Sequence, residues 1–293
     1  MSTMSSTKYY MSTLAKIFKF TLKSKKLAVG VTIILFFIIL GLFAEVIAPG
    51  NPSVPMQFQM DLPPSPDHPL GTDTLGRDVF DQIVHGIRQS LLIGFMAGAF
   101  GTGMGTLIGL ISGYKGGYVD DILRTFTDIF LVIPTWPLLV VISSYIKQGL
   151  TIPVLAALLS VFAWPWPART IRSQTMSLKQ RDFINIAKIS GSNDLEIIFK
   201  EIMPNMLSFV GANFANAVSG SILAEVGLEI VGLGPQNITT LGLIVYWAMW
   251  RGAMIRGIWW WVFPPIICIT LIFIGFHLIN MGLDELYNPR LRK

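Results

Sequence analysis

The chain has few residues with chemistry to offer. Glu225 and Glu229 are four apart, so a helix brings both carboxyls to one face, as paired acid–base work requires. No nucleophile–base pair and no HExxH string accompanies them, so a structural or gating role is the better reading. His68, Asp73 and Asp78 offer metal-ligand atoms, but their spacing matches no standard site; a turn-rich segment closed by Thr72 and Asp73 explains them more simply. Arg124 and Asp128 are one helical turn apart, and an ion pair near a helix end accounts for them. His277 stands in an apolar run, where a satisfied histidine inside a helix bundle is expected. Together Asp128, Glu225, Glu229 and His277 could form the relay of an ion-coupled transporter or channel, which is kept as the alternative reading. The chain has no Gly-Lys dipeptide and therefore no GxxxxGK[ST] phosphate loop, so it does not bind ATP by that device.

The elements that must carry these residues follow from composition. Of 293 residues, 52% are hydrophobic and 13% charged, and the mean hydropathy is positive. Soluble domains carry about 25% charged residues, so this is an all-α polytopic membrane protein. The lone cysteine, Cys268, excludes an intrachain disulfide. Six spans are expected, near 27–48, 91–113, 122–146, 152–168, 206–227 and 259–283. Pro134 and Pro137 should kink the third, and Trp164 and Trp166 should mark an interfacial belt beside Arg169 and Arg172. Three tryptophans at 259–261 should open the sixth span at the other interface. In the second span, Gly94, Gly98, Gly101, Gly105, Gly109 and Gly113 recur at three- and four-residue steps, a stripe that lets helix backbones approach closely.

The domain plan is a basic N-terminal segment (1–26), a first transmembrane helix (27–48), a Pro-rich outside segment (49–88), a five-helix core (89–283) containing loop 169–204, and a polar tail (284–293). Within the first, 13–24 reads as a basic amphipathic helix on the membrane surface. Residues 235–257 form a second outside segment, open to a half-inserted helix at 241–250. Segments expected inside hold 17 of the 22 Lys and Arg, and those outside hold five, which puts both termini and loop 169–204 in the cytoplasm. The net charge of +5 is thus topological and is no nucleic-acid footprint.

Residues 181–204 are polar yet lie between two long apolar runs. Phe183, Ile186, Ala187 and Ile189 fall at helical intervals, and Gly191 offers a left-handed helix stop. Asn193 with Glu196 forms a capping-box pair, and Pro204 stands where the next helix can begin. This helix–elbow–helix suits docking into a partner's groove or serves as an ordinary loop. With Ala187, Gly191 and Pro204 in register, it resembles the EAA loop of ATP-binding-cassette (ABC) importer permeases, although Asn185 holds the place of that motif's Glu, Ile186 that of its first Ala and Glu201 that of its Ile. The string HPLGTDTLGRD (His68 to Asp78), followed by GIRQSLLIG from Gly86, resembles the C-type permease subunit of oligopeptide and dipeptide ABC importers.

The resemblance implies a type I ABC importer permease fold with six transmembrane helices, spans 2–6 forming the core. It implies a multi-pass protein of a prokaryotic cytoplasmic membrane, not an enzyme, with no metal or cofactor of its own. ATP and Mg would belong to two ABC ATPase subunits; a homologous second permease and an extracellular solute-binding protein complete the expected partners. Asp182, Phe183, Asn185, Ala187, Ser190, Gly191, Ser192 and Pro204 would couple to the ATPases. Gly71, Thr72, Asp73, Gly76, Arg77 and Asp78 carry the extracellular motif, and Arg124, Asp128, Arg169, Glu225 and Glu229 the structural or gating roles. The implied cargo is di- and oligopeptides, with oligosaccharides or nickel as the alternatives known among relatives.

Overall fold

The computed structural model describes residues 24–146 and 150–287. The expected amphipathic stretch at 13–24, apart from Ser24, and the end of the polar tail lie outside the described residues, as does Lys147. Among the described residues the regular structure is helical, with one isolated bridge between Thr72 and Asp78.

Helix α1 (Lys25–Leu42) and the short α2 (Ala44–Ile47) make the first span. Helix α3 (Val79–Lys115) is capped by Asp78, whose carboxylate accepts from the amides of Phe80 (2.7 Å) and Asp81 (3.2 Å). Its 37 residues measure about 55 Å, well beyond the roughly 30 Å of a bilayer core. The helix thus begins some ten residues before the outside segment is expected to end. The helix-breaking prolines stop at Pro69, and Val79, Ile83, Val84 and Ile87 give the early turns a buried face.

The third and fourth spans are broken. α4 (Gly117–Val132) and α5 (Thr135–Tyr145) meet at 77°. Ile133, which precedes proline, is driven out of the helical region (φ −64°, ψ 126°). Pro137 lies in the first turn of α5, where a missing N–H costs nothing, so only Pro134 acts. α6 (Ile152–Ala163) and α7 (Pro165–Lys179) bend by 41° around Trp164. Trp164 is not a belt residue: it is 2% exposed and packs on Phe126 and Phe130, tying α4 to this bend. Trp261 is likewise buried, whereas Trp166 and Trp259 are exposed.

The elbow consists of α8 (Asp182–Ile189), α9 (Asp194–Glu196), a π-helical turn at Ile197–Ile202 and α10 (Met203–Asn205). α11 (Leu207–Ile230), the short apolar α12 (Leu241–Trp250) and α13 (Trp259–Tyr287) complete the chain. Four helices are individually long and apolar enough to cross a membrane, and six spans result if each bent pair counts as one.

The glycine stripe explains how α3 comes to lie at the centre. A Cβ at Gly105, Gly109 or Gly113 would fall 2.5–2.7 Å from the carbonyl oxygens of Trp164, Ala168 and Arg172, along the α7 backbone. Gly94 and Gly98 face Ile222 and Val218 of α11 in the same way. Any side chain at these positions would push apart helices that have backbone contact. On the far side, α1 packs against α13, with Gly30 against the Gly275 carbonyl and Gly282 against Leu27.

Candidate functional site

The elbow is built from two complementary stop and start signals. Gly191 adopts φ +84°, the Ser192 amide donates to the Ala187 carbonyl (3.1 Å), and the Gly191 amide donates to Lys188 (3.1 Å). This is a Schellman closure, which needs a residue tolerant of the left-handed region. Two residues later Asn193 Oδ1 accepts from the Glu196 amide (2.9 Å), and Glu196 Oε2 accepts from the Asn193 amide (3.1 Å). The expected capping box is present in full. Pro204 lies in α10, and the break before α11 falls at Met206 (φ −121°).

The four apolar positions of α8 do not form one face. Phe183 and Ala187 pack inward beside fully buried Ile184, against Ile171, Ile197 and Ile202. Ile186 and Ile189 point away, the latter 88% exposed, and Leu195 across the elbow joins them on the surface. The inward face takes positions 183, 184 and 187 because these pack on the cluster around Ile171, Ile197 and Ile202. Asp182, Asn185, Ser190 and Gly191 are exposed, and Ser192 is half-buried.

Asp194 adds a polar mooring to this packing. Asp194 accepts from Tyr114 Oη (3.0 Å) and from Lys115 Nζ (2.5 Å), the last two residues of α3. The ammonium of Lys115, then the Tyr114 hydroxyl, hold the Asp194 carboxyl below its ordinary value; Lys200 and the Asn193 amide do the same for Glu196.

The other end of α3 carries the Gly71–Asp78 motif, which is closed on itself. Asp73 is fully buried; its carboxylate accepts from the amides of Leu75 (2.8 Å) and Arg77 (2.9 Å), from Arg77 Nε (2.7 Å) and from Gln82 (3.1 Å). Thr72 Oγ1 accepts from the Leu62 amide and donates to the Gln59 carbonyl. Gly71 (φ +66°) and Gly76 (φ +67°) supply the two left-handed turns. His68 Nδ1 lies 2.6 Å from Asp78, but no cluster of three metal-ligating residues exists among the described residues. The cap of α3 is Asp78, whereas Thr72 and Asp73 close the turn before it.

Glu225 and Glu229 are both fully buried and meet the start of α12. Ser90 Oγ of α3 donates to Glu225 (3.0 Å) while accepting from the Leu241 amide (3.2 Å). Thr240, the N-cap of α12, donates to Glu229 (2.7 Å). A Cβ at Gly234 or Gly242 would collide with the Glu229 side chain, so the two glycines shape its seat. The amides of Leu241 and Leu243 are taken by Ser90 and Thr240, whose hydroxyls in turn donate to the two glutamates, so the carboxyls clamp the start of α12 through these hydroxyls. The stretch 241–250 is helical, as α12.

The Arg124–Asp128 pair is the weaker half of a larger arrangement. Arg169 reaches Asp128 at 2.6 Å, whereas Arg124 stands 3.6 Å away. Arg172 forms a two-pronged pair with Asp120 at 2.5 Å, and Ser112 adds a third bond. Sequence reasoning did not single out Asp120. A readable signal exists: Asp120 and Asp128 are two turns apart on α4, while Arg169 and Arg172 are one turn apart on α7.

No relay is assembled. Ser90 and Ser112, which mark the two acidic groups on α3, are about 33 Å apart along the helix. His277 is not a bundle histidine: it is exposed on α13, its ring stacked on Phe273.

Residues 105–293 match the family model described as "Binding-protein-dependent transport system inner membrane component". The chain is 31% identical over 274 residues to the dipeptide transport system permease protein DppC of Bacillus subtilis (strain 168), covering 93% of this chain and 84% of that one. It is 34% identical over 232 residues to the oligopeptide transport system permease protein OppC of Mycobacterium tuberculosis (strain ATCC 25618 / H37Rv), covering 78% of each. Among solved structures, a chain of the MetNI methionine ABC transporter in an inward-facing conformation superposes with TM-score 0.53 at 19% identity, covering 72% of this chain and 97% of that one.

The chain belongs to the binding-protein-dependent inner membrane component family.

Its fold is that of a type I ABC importer permease. The part of this permease that matches the family model includes the elbow, Glu225 and Glu229, and both ion pairs of α4 and α7. The Gly71–Asp78 motif lies before it. The elbow thus falls within the part described by the general family model, and the motif within the longer match to the peptide permeases.

Proposed function

We propose that this permease is one of two homologous membrane subunits of an ATP-driven importer of di- and oligopeptides. Two ABC ATPase subunits, which hold ATP and Mg, dock on its elbow, and an extracellular solute-binding protein delivers the cargo. Both termini and the elbow face the cytoplasm, as the Lys and Arg distribution favours. The cargo class follows the peptide permeases to which most of the chain is similar.

The observation that carries this reading is the elbow's outward face. Ile186, Ile189 and Leu195 are exposed at the tip of a unit whose other side is fully packed and whose base is bonded to α3. Apolar side chains presented rigidly into water are what a partner's groove takes up. ATP-driven closure of the partners would move the elbow, and α7 and α11, joined directly to it, would carry the motion into the membrane.

Gly191→Pro forces φ near −65° where +84° is required. It should abolish peptide uptake while leaving the chain in the membrane. Ile189→Glu, which leaves the backbone alone, should lose co-purification with the ATPases. Wild-type uptake and ATPase binding in both variants at normal expression would overturn the coupling role.

A further inference from the structure

A cavity of about 270 Å³ opens between α5, the α6–α7 bend and α11. Thr135, Phe162, Trp166, Asn213, Asn216 and Ser221 are among the residues that line it, and no charged side chain does. Asn213 is fixed in place: Thr170 of α7 donates to its Oδ1 (2.8 Å) and its Nδ2 donates to the Phe209 carbonyl (2.9 Å). Asn216 is different. It is the tenth of 24 residues in α11, it is exposed, and its amide makes no hydrogen bond among the described residues. Gly220, one turn on, has open space where a Cβ would be.

An unbonded carboxamide midway along a membrane helix is costly against lipid, so such a group faces water or a polar ligand. A carboxamide offers one acceptor and two donor hydrogens, the same groups that a peptide bond requires in return. The aromatic and aliphatic walls suit apolar side chains, and the absence of charge leaves side chains of either sign without a specific partner or a repelling one. At this volume the cavity is smaller than the roughly 300–1,000 Å³ of a complete small-ligand site, as fits a wall that faces a second subunit.

We infer that this cavity is a contact site for the peptide in transit, with Asn216 pairing to the main-chain amides of the substrate and Asn213 supporting the wall. The inference rests on the proposed function and adds to it a recognition chemistry: backbone amides are held and side-chain charge is not selected.

The test uses the complete transporter in membrane vesicles of both orientations. The chain carries Cys268→Ala and Asn216→Cys, and a membrane-impermeant thiol reagent is applied with and without a transported dipeptide. Labelling that the dipeptide slows is the expected result. Asn216→Leu should raise the KM for uptake by roughly two- to tenfold, the worth of one hydrogen bond, with similar factors for acidic, basic and neutral dipeptides. No labelling in a complex that still imports the dipeptide would show a dry surface and overturn the site. Labelling that the dipeptide leaves unchanged would show a wet wall off its route and also overturn it. A wild-type complex that imports no peptide, while importing another solute, would remove the cargo class on which the site depends.

Discussion

The two ends of α3 solve opposite problems. At its start, the Gly71–Asp78 motif turns its polar atoms inward until Asp73 has four donors and no exposed surface. At its finish, the elbow is bonded to Tyr114 and Lys115 through one aspartate and leaves isoleucine and leucine bare at the tip. A region complete in itself needs no partner for its fold, whereas one with unburied apolar side chains presents the face on which the proposed docking rests. Specific sequence therefore does not mark a functional surface by itself: the string with the sharper resemblance is the one that serves as a brace.

This contrast can be broken most forcefully at Asp73. Asp73→Ala leaves the Arg77 guanidinium buried without its counter-charge and strips three further donors of their acceptor. The loss should be about 3–5 kcal/mol, read as a collapse of thermal stability and of membrane yield. A variant with wild-type melting would mean that the motif is not the brace described here. Asn193→Ala acts on the elbow and removes one capping bond, so it should cost about 1 kcal/mol locally. Faster proteolysis at 190–196 without a change in the global melting temperature is the expected signature. Acidification gives the smallest effect. Asp194 and Glu196 titrate below their ordinary values of 3.8 and 4.5 in the folded chain, so their contribution is complete above those values and lost as pH falls through the lowered ones. Elbow protection from protease should hold from neutrality down to the ordinary carboxylate range and decline only below it. A decline that begins near neutrality would point to a group other than these carboxylates.

Short-range signals in the sequence were the readable ones. The stop at Gly191, the capping box and the six-glycine stripe each depend on residues a few positions apart, and each is present as the pattern predicts. What the pattern could not supply was the identity of the neighbour. Trp164 reads as interfacial because tryptophan favours that zone, but a bend directs it onto Phe126 and Phe130. Arg124 and Asp128 read as a pair because they are close in sequence, yet Arg169 arrives from another helix with better geometry. The buried face of α8 is decided in the same way: four apolar residues over two turns allow two faces, and tertiary packing chooses the one with Ile184. The glutamates lay between these cases: their shared face was legible, but Ser90 and Leu241 had to be brought from 135 and 16 residues away to reveal a clamp.

The break at Ile133–Pro134 bears on how the protein is made. α4 and α5 measure about 24 Å and 16 Å, so neither alone crosses a core of about 30 Å. The stretch from 117 to 145 carries Asp120, Asp121, Arg124 and Asp128 in its first half, and only from Ile129 onward is it free of charge. A break in a helix frees backbone carbonyls that lipid does not solvate. The membrane machinery therefore meets one span in two parts, a charged first half and an apolar second half, with Val132 and Pro134 exposed at the corner between them.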